Sequence, residues 1–306
     1  MISVIICTYN RCESLKDTLD SLLNQECNGV FDYEVMVVDN NSSDLTKDIV
    51  QSFMEEFNKK LKYFFEPNQG LCYARNRGIK EARGNIIAFT DDDVIVDRKW
   101  IENIYASFQE STLGALGGKI LPRWLAVPPS WLTKKFYENL ALLDYGDNSF
   151  QIINGKFQFY GANFALRKTI FDEVGYFNPN LDRRGTCLLS GGDTELFYRI
   201  LKAGKKIYYK PNCIVYHKIG PDRLQKAYFR KWYFFSGQTY SCHMKRSKRS
   251  ILNIPLWFLK DSILVLFEYL YLLFTFDKKG FRYQLKVLFH LSVCLSCIKK
   301  INYDTG

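Results

Sequence analysis

Apolar runs alternate with amphipathic stretches through the first half of the chain. Ile2-Ser-Val-Ile-Ile-Cys7 reads as a strand, and in Arg11 to Gln25 the residues Leu15, Leu19, Leu22 and Leu23 fall on one helical face. Asn10 and Glu13 make a capping pair for that helix. Tyr33 to Val38 is a second strand, and a helix from Asp44 to about Lys59 carries Leu45, Ile49, Phe53 and Phe57 at four-residue spacing. Leu61 to Phe65, a helix from Leu71 to Ala82, and the run Asn85 to Thr90 complete a βαβαβαβ order. That order predicts a parallel, doubly wound sheet whose binding crevice lies at the C-terminal ends of the strands.

The second half is less regular. Pro122, Pro128 and Pro129 mark irregular chain ahead of an ordered stretch from Phe157 to Leu166. Gly191-Gly192-Asp193 opens an amphipathic helix to Ala203, and Lys206 to Tyr209 and Ile214 to Tyr216 read as strand. No internal repeat or low-complexity tract interrupts the pattern.

At 306 residues, 47% of them hydrophobic, the chain can bury a sizeable core and is neither disordered nor fibrous. Its net charge of +10 is unevenly distributed: Met1 to His217 holds 26 Lys+Arg against 27 Asp+Glu, whereas Lys218 to Gly306 holds 16 against 5. Nine scattered cysteines do not form the dense framework of a disulfide scaffold and predict a reducing compartment. Cys294-Leu-Ser-Cys297 has CxxC spacing but no second pair, and packing is its expected role. Ile2 to Cys7 is too short for the apolar core of a signal peptide, so secretion by that route is not expected.

The densest chemistry is Asp91-Asp92-Asp93, placed directly after the fourth strand. Three adjacent carboxylates repel one another unless a cation joins them, and hard oxygen ligands at the rim of an α/β crevice suit Mg²⁺ or Mn²⁺ holding a diphosphate. Thr8-Tyr9-Asn10 and Asp39-Asn40-Asn41 also follow strands and converge on the same edge.

These segments resemble the inverting glycosyltransferases of family 2, which have the GT-A fold: Val4-Ile-Ile-Cys-Thr-Tyr-Asn-Arg11, Val37-Val-Asp-Asn-Asn-Ser-Ser-Asp44, Asn68-Gln-Gly70 with Ala74-Arg-Asn-Arg-Gly-Ile79, Phe89-Thr-Asp-Asp-Asp-Val94 and Gly191-Gly-Asp-Thr-Glu-Leu196. The resemblance covers approximately Ile2 to His217. It implies that Thr8, Tyr9, Asn10, Asp39, Arg75, Asp91 and Asp92 bind a nucleotide sugar, and that Asp93, with Asp91 and His217, binds Mn²⁺ or Mg²⁺. It implies further that Asp193 is the base that deprotonates an acceptor hydroxyl during transfer with inversion. The family usually has Glu where this chain has Gly192.

Beyond Arg223 the chain is aromatic and cationic, with Tyr228 to Phe235 and Lys245-Arg-Ser-Lys-Arg249 ahead of apolar segments Ile251 to Phe276 and Phe281 to Ile298. Such segments do not serve phosphate recognition along a nucleic acid, while basic clusters beside them suit an anionic membrane surface. Lys260, Asp261 and Glu268 interrupt the first segment and Lys286 and His290 the second, which predicts helices in the membrane interface, or packed on the protein, over a true span.

The combined expectation is a GT-A-like α/β fold: a mostly parallel sheet flanked by helices, with a C-terminal helical, membrane-associating extension. Residues 1–220 would be catalytic, with 1–120 the nucleotide-sugar half and 121–220 the acceptor and base half, and 221–306 the basic, apolar extension. The expected activity is metal-dependent sugar transfer, with inversion, to a glycan or lipid-linked acceptor in surface polysaccharide or lipopolysaccharide assembly. The setting would be cytoplasmic, peripheral on the cytosolic membrane face. A sugar-nucleotide pyrophosphorylase and a non-catalytic nucleotide-binding scaffold are the alternatives, the first lacking here the glycine-rich basic loop expected after strand one.

Overall fold

The structure is a computed structural model and describes residues 1–27, 29–181, 191–244, 247–275 and 279–299. The chain divides into two compact units, Met1–Pro179 with Gly192–Pro221, and Asn180–Gly191 with Asp222–Gly306.

The first unit opens with β1 (Ile2–Thr8), α1 (Cys12–Leu23), β2 (Tyr33–Asp39), α2 (Thr46–Phe53), β3 (Leu61–Phe65), α3 (Leu71–Glu81) and β4 (Ile86–Asp91). Every residue of β2 is buried, and nearly every one of β1 and β4, which is why these strands read as continuous apolar runs with no alternation. They pair in parallel in the order β3-β2-β1-β4, as the βαβ pattern requires. Helix α3 sits so close to the sheet that a Cβ on Gly78 would come 2.6 Å from Ile5 Cγ2.

Next follow β5 (Val94–Val96), α4 (Trp100–Ser107), β6 (Leu113–Trp124), a 3₁₀ helix (Lys134–Leu140), β7 (Phe150–Ile152), β8 (Phe164–Arg167), α5 (Ile170–Val174), α6 (Gly192–Lys202) and β9 (Lys206–Ile219). The sheet continues β4-β8-β6-β9-β5, with β7 also on β9. β8 runs antiparallel to both β4 and β6, and β5 and β7 run antiparallel to β9, so a parallel first half joins a mixed second half. The two strands read near Lys206 and Ile214 are one strand of 14 residues, irregular in its pairing with β6 between Gly118 and Lys119.

Two local readings are corrected. The Asn10–Glu13 capping pair is not formed: Asn10 takes a left-handed φ of 50° and accepts the Ser43 N–H, while the Cys12 N–H is capped by Asp44 Oδ2 at 3.0 Å. α2 ends at Phe53 and not near Lys59, because Asn58 and Lys59 have φ of 46° and 68° and turn the chain. Thr46, Val50, Phe53 and Phe57 are buried, whereas Leu45 is 61% exposed.

The second unit contains α7 (Lys226–His243), the short hairpin β10 (Ser250–Ile251) and β11 (Ile254–Pro255), α8 (Leu256–Phe274) and α9 (Gly280–Ile298). Ile254, Phe258 and Val293 form a small core with Cys294 and Cys297 packed against it, and both thiols are free, in keeping with a packing role for CxxC. Among the described residues no helix is long and apolar enough to cross a membrane. Lys245, Arg246 and Phe276, which belong to the basic and apolar segments, lie outside the described residues.

Candidate active site

The C-terminal ends of β1, β2 and β4 lie side by side, because Thr8 is in register with Asp39 and Cys7 with Asp91. The polar residues that follow each strand therefore meet at one edge. Thr8 and Asp39 are buried and Tyr9 is 36% exposed. Asn10 is joined to the loop after β2, its N–H donating to Ser42 Oγ at 2.9 Å. Asp39 Oδ1 accepts the Ser42 N–H at 2.9 Å and Oδ2 accepts the Tyr63 hydroxyl at 2.7 Å. Burial and this bond to Asp39 raise the Tyr63 phenol well above its ordinary value, so it acts as a donor and fixes the carboxylate in place.

The triple aspartate spans the end of β4 and the turn to β5. Burial, reinforced by Asp93, raises the Asp91 carboxyl; Arg75 and His217 oppose the rise and Asp193 adds to it. One carboxyl thus feels residues from four separate segments. Asp92 is also raised, by burial first and then, against Arg11, by Asp93. The cluster holds more negative charge than its surroundings neutralise.

Arg11, in the first motif but given no role by the sequence reading, supplies the nearest cation. Its Nη1 lies 3.1 Å from Asp92 Oδ1 and 2.8 Å from Asp93 Oδ2. Only its position after Thr8-Tyr9-Asn10 could have signalled this. The other oxygen of Asp93 faces His217, with Oδ1 and Nε2 3.2 Å apart. His217 is buried near the end of β9, and its Nδ1 lies 2.9 Å from the Leu140 carbonyl, which only accepts. Nδ1 must therefore carry a proton, leaving Nε2 turned to Asp93.

Among the described residues no three His, Cys, Asp or Glu side chains are already spaced to hold an ion. The Asp93–His217 pair nevertheless fits one, since donors 3.2 Å apart can occupy adjacent positions around a divalent ion with bonds of about 2.1 Å. Water and phosphate oxygens ordinarily complete such a shell for Mg²⁺.

Arg75 from α3, which also acts on Asp91, is almost fully buried and its Nη1 is 2.5 Å from Asp193 Oδ1. Asp193 Oδ2 accepts the Gly161 N–H at 2.8 Å. The guanidinium also lies 5.1 Å from the centroid of the Phe177 ring. Asp193 stands in the first turn of α6, and Gly192 before it is buried. Members of two clusters, Arg11–Asp92–Asp93–His217 and Arg75–Asp193, thus act on Asp91. Gly161 and the Leu140 carbonyl are site components that carry no signal in sequence.

Comparison with known proteins bears on this arrangement. Residues 3–175 match the family described as Glycosyl transferase family 2. The chain is 28% identical over 228 residues to a glucosyl-dolichyl phosphate glucuronosyltransferase of Haloferax volcanii, covering 71% of this chain and 69% of that protein. It is 27% identical over 241 residues to the succinoglycan biosynthesis protein ExoM of Rhizobium meliloti, covering 78% and 74%. Among solved structures it resembles the mannosyltransferase PcManGT of Pyrobaculum calidifontis in complex with GDP-Man and Mn²⁺, at a TM-score of 0.63 and 16% identity over 98% of this chain and 88% of that one, a likeness of fold.

Proposed function

The chain belongs to glycosyl transferase family 2 and is a glycosyltransferase with the GT-A fold; from that premise we propose that it transfers a sugar, with inversion and with a divalent ion, from a nucleotide sugar to a hydroxyl of a glycan or lipid-linked acceptor in surface polysaccharide or lipopolysaccharide assembly. The observation that carries this reading is the convergence of Asp91, Asp93, His217, Arg75 and Asp193 at one end of the sheet.

In this mechanism residues 1–120 supply the donor half. Thr8, Tyr9, Asn10 and Asp39 hold the nucleotide, with Asp39 already oriented by Tyr63 and Ser42. Asp93 and His217, with Asp91 nearby, would hold Mn²⁺ or Mg²⁺, which when bound neutralises the charge developing on the leaving diphosphate. Arg75 and Asp92 line the donor between them. Residues 121–220 supply the acceptor half and the base. Asp193 takes the proton of the acceptor hydroxyl, whose oxygen bonds to the anomeric carbon as the bond to the diphosphate breaks and the nucleoside diphosphate leaves. Attack from the face opposite the leaving group inverts the centre.

Residues 221–306 form the membrane-associating extension in this reading, peripheral on the cytosolic face. Its support is the outward apolar side of α8, where Ile263, Leu264, Phe267, Leu270, Tyr271 and Phe274 are 47 to 86% exposed, on a segment of strong positive charge.

The deciding experiment measures nucleoside diphosphate release from UDP-, GDP- and dTDP-sugars with Mn²⁺ or EDTA, in membranes that supply acceptor. Release confined to one donor and lost in EDTA is expected. Release that ignores EDTA would overturn the metal role, and no release from any donor would overturn the donor class.

A further inference from the structure

A cavity of about 390 Å³ opens in the first unit, lined by none of Thr8, Tyr9, Asn10 and Asp39. Its size lies within the range of about 300–1,000 Å³ usual for small-ligand sites. Its floor is apolar and buried, from Ile120, Leu142 and Leu143, and the last of these is held on β6 by paired backbone bonds with Ile120 of 2.7 and 3.0 Å. Three half-buried tyrosines, Tyr137, Tyr145 and Tyr160, give it aromatic walls. Lys134, Glu138 and Asp144 stand exposed at its mouth.

Two of its walls continue into the catalytic groups. Tyr160 precedes Gly161, whose N–H holds Asp193 Oδ2 at 2.8 Å. The 3₁₀ helix that carries Lys134, Tyr137 and Glu138 ends at Leu140, whose carbonyl holds His217 Nδ1 at 2.9 Å. The cavity wall is thus one residue in sequence from the amide that holds the base and two from the carbonyl that holds the imidazole beside Asp93.

We propose that this cavity is the acceptor subsite, and that it takes a neutral pyranose unit of a glycan and not the phosphate end of a lipid carrier. The inference rests on the transferase reading and narrows its acceptor. Aromatic rings offer flat faces to the C–H faces of a pyranose, while Glu138 and Asp144 accept from its hydroxyls and Lys134 donates. A phosphate would meet the opposite balance. Among the described residues Lys134 is the one cation lining the cavity, against Glu138 and Asp144, and the nearby Lys119 is shared by Asp144 at 3.6 Å and Asp147 at 2.5 Å. Phosphate sites are ordinarily built from arginines, lysines and backbone amides. The enzyme so described extends a sugar that an earlier transfer has already placed on its carrier.

Binding without turnover tests this. Saturation-transfer NMR would be recorded on the full chain with a panel of methyl pyranosides and disaccharides, and separately with farnesyl phosphate and inorganic phosphate. At least one saccharide is expected to bind, to lose fivefold or more of its signal in Tyr137→Ala and in Glu138→Ala, and to keep it in Tyr137→Phe. Saccharide binding that both alanine variants leave intact, or no saccharide binding at all, would overturn the site. Farnesyl phosphate binding that the same variants abolish would overturn the ligand class. Pocket-dependent saccharide binding in a protein that releases no nucleotide from any donor would sink the transfer mechanism while leaving the subsite standing.

Discussion

Arg75 Nη1 stands 2.5 Å from Asp193 Oδ1, tying α3 to the first turn of α6 across 118 residues of sequence. The guanidinium and the Gly161 amide take one oxygen each, so the carboxylate is oriented before any acceptor arrives. Asp193→Asn keeps the shape and removes the carboxylate proposed as the base. Transfer should fall by about 10²–10⁴-fold while nucleotide affinity by calorimetry is unchanged. A variant transferring at near-normal rate would remove Asp193 from that role.

Arg11 shares its charge between Asp92 and Asp93, so Arg11→Gln should leave both carboxylates undercompensated. In EDTA its thermal midpoint should drop by an amount corresponding to about 1–3 kcal/mol. Added Mn²⁺ should recover more stability in this variant than in the parent protein, because a second cation then does what the guanidinium did. Equal gains in both proteins would mean that the ion binds elsewhere. His217→Ala should weaken the same Mn²⁺ effect, read by electron paramagnetic resonance of the free ion.

A third consequence concerns acid stability. Glu34 is buried and accepts from Ser3 Oγ at 2.6 Å, Lys62 Nζ at 2.5 Å and the Arg83 N–H at 2.7 Å. Burial alone would raise its carboxyl, but these donors outweigh that and hold it below the ordinary value. Its contribution to stability is therefore complete above the unfolded carboxylate value of about 4.3 and is lost as pH falls through the lower folded value. Urea denaturation at pH 7 and at successive acid steps should show this loss. Glu34→Gln should be less stable at pH 7 and flatter across the acid limb.

Gly118 permits the close approach of β6 and β9. A Cβ there would fall 2.0 Å from the Cys213 carbonyl oxygen and 2.5 Å from Asn163 Nδ2, which itself bonds the Cys213 and Lys119 carbonyls at 2.8 Å. A backbone oxygen cannot rotate away, so Gly118→Ala should cost about 3 kcal/mol or more. Gly78→Ala should cost less, because its nearest neighbour at 2.6 Å is the Ile5 side chain.

The exposed side of α8 predicts partition to anionic vesicles. Phe267→Glu with Leu270→Glu should reduce binding at physiological salt by tenfold or more, since each buried apolar side chain contributes about 1.5–3 kcal/mol. Sedimentation with vesicles of mixed anionic and neutral lipid measures it, and unchanged sedimentation would release α8 from that role.

The parallel half of the sheet was legible because β1, β2 and β4 are buried on both faces and so leave unbroken apolar runs between helices of clear period. The insertion of β8 between β4 and β6 was not, because four residues, Phe164–Arg167, carry too little pattern to declare either partner or direction. The capping of α1 was misread since its partner, Asp44, is 32 residues from Cys12. In the site, residue types were readable wherever carboxylates cluster after strands. What neutralises and orients them was not: Arg11, the Gly161 amide and the Leu140 carbonyl act through positions that only the folded chain creates.

β6 has one of its two neighbours, β9, far along the chain, and this sets an order on synthesis. Strands β1 to β4 come first in the chain and are neighbours in the order β3-β2-β1-β4. β6 emerges with neither β8 nor β9 yet made, and its buried residues wait for Lys206–Ile219 before that side of the sheet closes. Pairing so distant in sequence is slow and leaves apolar edge exposed meanwhile. His217, carried by that last strand in register with Val94, meets Asp93 only where β9 has paired with β5, so one strand completes both the sheet and the Asp93–His217 pair.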